Sequence, residues 1–168
     1  MPAADDRRLG RLAQRVGEAC LRAQRSLATA ESCTGGLIAK CLTDIPGSSA
    51  WFERGWVTYS NAAKADELGV PATLIARHGA VSEAVARAMA RGALAGSRAQ
   101  RAVAVTGIAG PDGGAPGKPV GTVWIAWAER QGRRIASRAV LHRFRGSRDD
   151  IRRRTAEAAL RGLLRDVP

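Results

Sequence analysis

Two short stretches of this 168-residue chain carry side chains that could make and break covalent bonds: Ala30-Glu31-Ser32-Cys33-Thr34-Gly35-Gly36 and Tyr59-Ser60-Asn61-Ala62-Ala63-Lys64. The first reads as a strand end turning tightly into a helix. Backbone N–H groups at such a junction, here on Cys33, Thr34, Gly35 and Gly36, converge with the positive end of the helix dipole and could hold an oxyanion or a phosphate. Ser32 beside them is a candidate nucleophile, although Ser32 or Thr34 would serve equally as an ordinary helix cap. A serine nucleophile needs a base. With only His78 and His142 in the chain and no G-x-S-x-G elbow, a Ser-His-Asp arrangement is poorly supplied. Lys64 is the remaining candidate. If Tyr59 ends a strand and Lys64 lies in the first turn of the next helix, both sit at the sheet edge that carries Ser32. To act as a base the lysine must titrate several units below its ordinary value of about 10.4, at about 1.4 kcal/mol per unit. Burial, a helix N-terminus and cationic neighbours push that way. Tyr59 could hydrogen-bond the amine or relay its proton. By spacing alone, a solvated surface lysine fits Lys64 at least as well.

Two further features could hold a ligand. The stretch Thr106-Gly107-Ile108-Ala109-Gly110-Pro111-Asp112-Gly113-Gly114 opens an irregular segment running to residue 121, where glycines give the backbone room to approach a bound molecule. It matches neither a Walker A motif nor G-x-G-x-x-G, but an irregular segment of this length in a compact domain points to a binding loop. Farther on, Phe144-Arg145-Gly146-Ser147-Arg148 leads to Arg152. Arg148 and Arg152 share one helix face near its positive end, where carboxylate or phosphate would be attracted. A solvated arginine face is an equal reading.

The elements that must position these residues follow from periodicity and punctuation. Leu9, Leu12, Val16, Cys20 and Leu21 mark an amphipathic helix over 6–24, and residues 26–30 read as a strand stopping at Glu31. SCTGGLIAKCLTDIPG reads as a helix from its capping residues to Pro46-Gly47. FERGWVTYS at 52–60 is strand-like, and Asn61 is a plausible cap for the next helix. A short helix ends at His78-Gly79, and Ser82-Glu83 opens an alanine-rich helix to about residue 95. Ala102–Thr106 is a compact apolar strand. Residues 120–128 and 134–143 form a hairpin turning at Gln131-Gly132, and a last helix over about 147–165 buries Ile151, Leu160, Leu163 and Leu164. Residues 1–168 therefore read as a single α/β domain, a layered α/β/α sandwich with a mixed sheet.

Composition narrows the function classes. No run approaches the roughly 18 apolar residues of a membrane span, and charges throughout the first 25 residues leave no apolar signal-peptide core, so a cytoplasmic protein is expected. Three cysteines without a C-x-x-C pair and two histidines argue against a disulfide framework and a metal site. A net charge of +12 from 27 basic and 15 acidic residues invites nucleic acid. The arginines are scattered, however, and no groove-reading motif occurs, so no specific nucleic-acid partner is expected. A catalytically silent nucleotide-binding module is the main alternative to an enzyme, and DNA binding drawn by the net charge a weaker one.

The motifs AESCTGG, DIPGSSAWFERGWVTYSNAAKADELGV, HGAVSE, TGIAGPDGG, KPVGTVWIAWA and FRGSRDDIR, in this order over about residues 10–165, closely resemble the C-terminal domain of the competence/damage-inducible protein CinA. That family includes stand-alone nicotinamide mononucleotide amidohydrolases of the PncC type. The resemblance implies a homodimeric α/β enzyme that converts nicotinamide mononucleotide to nicotinic acid mononucleotide and ammonia without metal or cofactor. It implies Ser32 as nucleophile, with Lys64 and Tyr59 completing a serine–lysine site. Thr106, Gly107, Gly110 and Gly113 would then shape the nucleotide pocket, and Arg148 or Arg152 would pair with its phosphate. The chain departs from the family at Ser147, where an acidic residue is common.

Overall fold

The computed structural model describes residues 4–168; the expected domain bounds also take in residues 1–3, which lie outside the described residues. Six helices and five strands occur in the order α1 (Ala4–Ala23), β1 (Leu27–Glu31), α2 (Leu37–Thr43), β2 (Phe52–Val57), α3 (Asn61–Leu68), α4 (Ala72–His78), α5 (Glu83–Ala95), β3 (Arg101–Gly107), β4 (Thr122–Gln131), β5 (Arg134–Arg143) and α6 (Arg148–Leu163). The strands form one mixed sheet in the order β2-β1-β3-β4-β5. β1 pairs in parallel with both β2 and β3, and β4 and β5 continue antiparallel. No helix among the described residues is long and apolar enough to cross a membrane.

Strand alternation sorts the two faces by size. Leu27, Val103, Val105, Val123, Ile125 and Trp127 face α1, α2 and α6, with Leu12, Val16, Ile38, Ile151 and Leu160 opposite them. The other face presents Ala28, Ala30, Ala102, Ala104, Ala126 and Ala128, all buried. These small side chains let α5 lie close to the sheet through Ala86, Met89, Ala90 and Ala93. Gly92, on α5, meets α3: a Cβ there would lie 2.0 Å from the Leu68 carbonyl oxygen. On the opposite face Trp127 seats the last helix. Its indole N–H donates to the Ala159 carbonyl at 3.0 Å, Arg138 lies 4.0 Å from the ring centroid, and a Cβ on Gly162 would come within 2.1 Å of the ring.

Most expected elements are present, with four differences. The strand expected over 52–60 ends at Val57, so Tyr59 lies beyond its end. The helix expected from Ser32 begins only at Leu37, because Gly35 and Gly36 take φ of 58° and 94° and break the first turn of the anticipated helix. Ser60, not Asn61, caps α3, its hydroxyl accepting from the Ala63 N–H at 3.0 Å. β4 runs on through Gln131, so the hairpin turns at Gly132-Arg133.

Candidate active site

The C-terminal ends of the parallel strands β1, β2 and β3 open on one edge of the sheet, the position where ligands gather in α/β folds. Ser32 leaves β1 there, 8% exposed. Its N–H donates to the Val105 carbonyl at 3.1 Å, and its own carbonyl accepts from the Gly35 N–H at 3.0 Å. The turn through Gly36 then enters α2. Gly36 offers no capping side chain, and the first helix N–H groups are met by Glu31, a residue that sequence reasoning read only as the end of the strand. Its carboxylate accepts from Ile38 at 3.0 Å and Ala39 at 2.8 Å. A carboxylate just upstream of a glycine turn is a readable signal for such a cap, but only once the start of the helix is placed correctly.

Lys64, in α3, reaches across to Ser32 and is 2% exposed. Its Nζ lies 3.1 Å from Ser32 Oγ, 3.0 Å from the Thr58 carbonyl and 3.2 Å from the Tyr59 carbonyl. No carboxylate pairs with it among the described residues. Burial lowers the amine from its usual range, opposed only weakly by Cys33. The surface reading of Lys64 is therefore wrong. The helix turns it inward, between the end of β2 and the Ser32 turn. Cys33 also lines the cleft, yet burial pushes its thiol up to about 12, so it stays protonated and a poor nucleophile. The cleft itself measures about 280 Å³; Asn61, Ala80, Val81, Thr106, Gly107, Gly110, Asp112, Gly113 and Arg148 are among its other walls.

The family model described as the CinA C-terminal domain matches residues 9–167. The chain belongs to that family. It is 57% identical over 153 residues to the nicotinamide-nucleotide amidohydrolase PncC of Pseudomonas putida, covering 91% of this chain and 93% of the relative. The PncC of Escherichia coli K12 is 53% identical over 158 residues, covering 94% of each chain. A crystal structure of the competence/damage inducible protein CihA from Agrobacterium tumefaciens superposes with a TM-score of 0.89 at 47% identity, again over 94% of each chain.

Within this CinA domain the expected site residues separate into groups. Thr106, Gly107, Gly110, Gly113 and Arg148 line the same cleft as Ser32 and Lys64; the Thr106 hydroxyl donates to the Ala80 carbonyl at 2.9 Å, tying the glycine loop to the segment before α5. Arg152 does not line the cleft. Its guanidinium donates to the Thr34 carbonyl at 2.9 Å, one helical turn from Arg148, so it braces the Ser32 turn from outside. Tyr59 meets Lys64 through its carbonyl, whereas its hydroxyl, on a ring 59% exposed, accepts from Arg148 at 2.8 Å. The phenol is thus hydrogen-bonded to Arg148, and the amine to the Tyr59 carbonyl. Of the four candidate oxyanion donors, Gly35 spends its N–H on Ser32, and Gly36 turns its own toward Glu31. The Thr34 N–H has no acceptor among the described residues, and that of Cys33 meets only its own thiol. At α6, Ser147 and Asp150 form a reciprocal cap, and Asp149 and Asp150 place negative charge in the first turn. That charge opposes the attraction expected of the helix end; the Arg148 side chain still lines the cleft, donating to the Gly110 carbonyl at 2.6 Å. Asn61, freed from capping by Ser60, and Asp112 are cleft residues that sequence reasoning did not select.

Proposed function

We propose that this chain hydrolyses the carboxamide of nicotinamide mononucleotide to nicotinic acid mononucleotide and ammonia, with Ser32 as nucleophile and Lys64 as general base. The observation that carries the reading is the buried Lys64 amine, unpaired by any carboxylate among the described residues, 3.1 Å from Ser32 Oγ. A neutral amine has two hydrogens and one lone pair. The Thr58 and Tyr59 carbonyls can take the two hydrogens, which leaves the lone pair directed at the Ser32 hydroxyl. Deprotonating the ammonium thus reverses one hydrogen bond and moves nothing else, a pre-organised base.

Chemistry then proceeds as acyl transfer. Ser32 Oγ bonds to the amide carbon while its proton passes to Lys64, and the carbonyl oxygen takes the negative charge facing the N–H groups of Cys33 and Thr34. Collapse expels the amide nitrogen as ammonia, protonated from Lys64. A water molecule gives its proton to the regenerated amine, attacks the ester and releases the acid, and the proton returns to Ser32. Arg148 at the cleft wall suits the substrate phosphate. The names of the relatives support the choice of a nicotinamide nucleotide, and the family reading takes the working unit to be a homodimer.

Ammonia release from nicotinamide mononucleotide by wild-type protein and by Ser32→Ala, with free nicotinamide as control substrate, tests this directly. Activity that Ser32→Ala abolishes in a folded protein is the expected result. A folded wild type that releases no ammonia leaves a nucleotide-binding module instead.

A further inference from the structure

Glu31 is a fully buried carboxylate that the chemistry above does not use. It accepts from the Thr34 hydroxyl at 2.5 Å, the Ile38 N–H at 3.0 Å and the Ala39 N–H at 2.8 Å. Burial raises its carboxyl, and these donors together with the Gly36 N–H pull it back. A helix ordinarily satisfies its first N–H groups from the side chain just before it. Here that place is taken by glycine, and the acceptor comes from the strand, seven and eight residues upstream. The turn from Ser32 to Gly36 is closed into a ring, with α2 fastened back to the last residue of β1.

The backbone of Glu31 extends this hold to the base. Its carbonyl accepts from the Thr58 N–H at 2.9 Å, and the Thr58 carbonyl in turn receives the Lys64 amine at 3.0 Å. One residue therefore connects the turn bearing the nucleophile with the carbonyls that orient the base. It does so from the α2 side of the sheet, without lining the cleft.

We propose that Glu31 is a positioning residue of the hydrolytic site: as a remote cap of α2 it fixes Ser32 and the Cys33 and Thr34 N–H groups relative to Lys64. The proposal rests on the reading of Ser32 as nucleophile. Glu31→Gln keeps the size of the side chain but turns one acceptor oxygen into a donor facing donors, so the ring opens. Positioning errors of about 1 Å cost on the order of 100-fold in rate.

The test is steady-state ammonia release from nicotinamide mononucleotide by wild type, Glu31→Gln and Thr34→Val, with circular dichroism and thermal melts on each. For Glu31→Gln kcat is expected to fall by about 100-fold while KM stays within about threefold, the pattern of an interaction that matters in the transition state. A purely structural residue would lower the melting temperature and leave kcat per folded molecule intact, and that result overturns the proposal. If Glu31→Gln does not fold, Thr34→Val decides, since it removes only the 2.5 Å bond to the carboxylate. A kcat loss of about tenfold at constant KM supports the role, and an unchanged kcat overturns it. A wild type without activity refutes the hydrolytic reading itself, whereas active wild type with fully active variants refutes only the role of Glu31.

Discussion

Replacing Lys64 by methionine keeps the reach of a buried side chain and removes the amine that faces Ser32, which allows one titration to be followed in two properties. In the folded protein burial holds the Lys64 pKa below its ordinary value of 10.5. Below the lowered value both folded and unfolded chains are protonated, and the wild type carries the full cost of a buried ammonium. Between that value and 10.5 the unfolded chain binds one proton more than the folded one. Stability therefore rises with pH across that window, at up to about 1.4 kcal/mol per unit, and gains nothing more above it. In a domain of this size each kcal/mol corresponds to roughly 2–4 °C in Tm. Lys64→Met has no such proton, so the difference in unfolding free energy between wild type and variant should climb with pH over the same window. Urea unfolding of both proteins at half-unit steps from pH 6 to pH 10 measures it, and other titrating groups cancel in the difference. The same pKa must also govern the acid limb of kcat/KM, since only the neutral amine can accept the Ser32 proton. The two curves should break at one pH. Parallel stability profiles for wild type and Lys64→Met, or an acid limb of activity displaced by more than about one unit from the stability break, would refute the account of Lys64 as a buried, displaced base.

Three other substitutions probe separate parts of the site. Arg148→Ala should raise KM for the mononucleotide by about 10- to 100-fold, the worth of a charge-assisted hydrogen bond, with kcat nearly unchanged; an unaltered KM removes Arg148 from phosphate recognition. Tyr59→Phe should leave kcat within about threefold of wild type, because the phenol bonds Arg148 and the amine is held by backbone carbonyls; a loss near that of Ser32→Ala would put the hydroxyl on the proton path. Gly92→Ala drives a methyl group onto the Leu68 carbonyl and should destabilise the fold by about 1–3 kcal/mol while displacing the helix that carries Lys64, seen as a lower urea midpoint with a parallel loss of kcat.

Elements with strong periodicity and side-chain caps were legible in the sequence. Ser82 and Ser147 cap α5 and α6 where their types and positions indicated, and the apolar strand before the glycine loop lies where it was expected, one residue longer at each end. The segment at 32–36 was misread because Ser and Thr next to a helix usually cap it, while the actual cap is a carboxylate on the preceding strand. No local spacing rule anticipates an acceptor seven residues upstream. The burial of Lys64 was hidden for a related reason: α3 is short and its apolar residues are mostly alanine, and it packs against α5 where Leu68 meets Gly92, far away in sequence. Arg148 and Arg152 could be placed on one face but not told apart. A difference in reach of one turn sends the first to the Gly110 carbonyl and Tyr59 and the second to Thr34. Ser32, Lys64 and the glycine loop were selected on chemical type, and the end of a parallel sheet brings those types together.

The indole of Trp127 acts on this site at a distance as an angular stop. It grips α6 at Ala159 and Gly162, while Arg148 and Arg152 project from nearer the other end of the same rod, roughly 10–20 Å away along the axis at about 1.5 Å per residue. A helix free to roll by 10° about its axis would swing side chains at a radius of about 5–6 Å through roughly 1 Å, enough to break the hydrogen bonds of Arg148 to Gly110 and of Arg152 to Thr34. Enlarging Gly162 would push the rod off its stop. The dial setting of α6, and with it the division of labour between Arg148 and Arg152, is thus written in a glycine and a tryptophan that never meet the substrate.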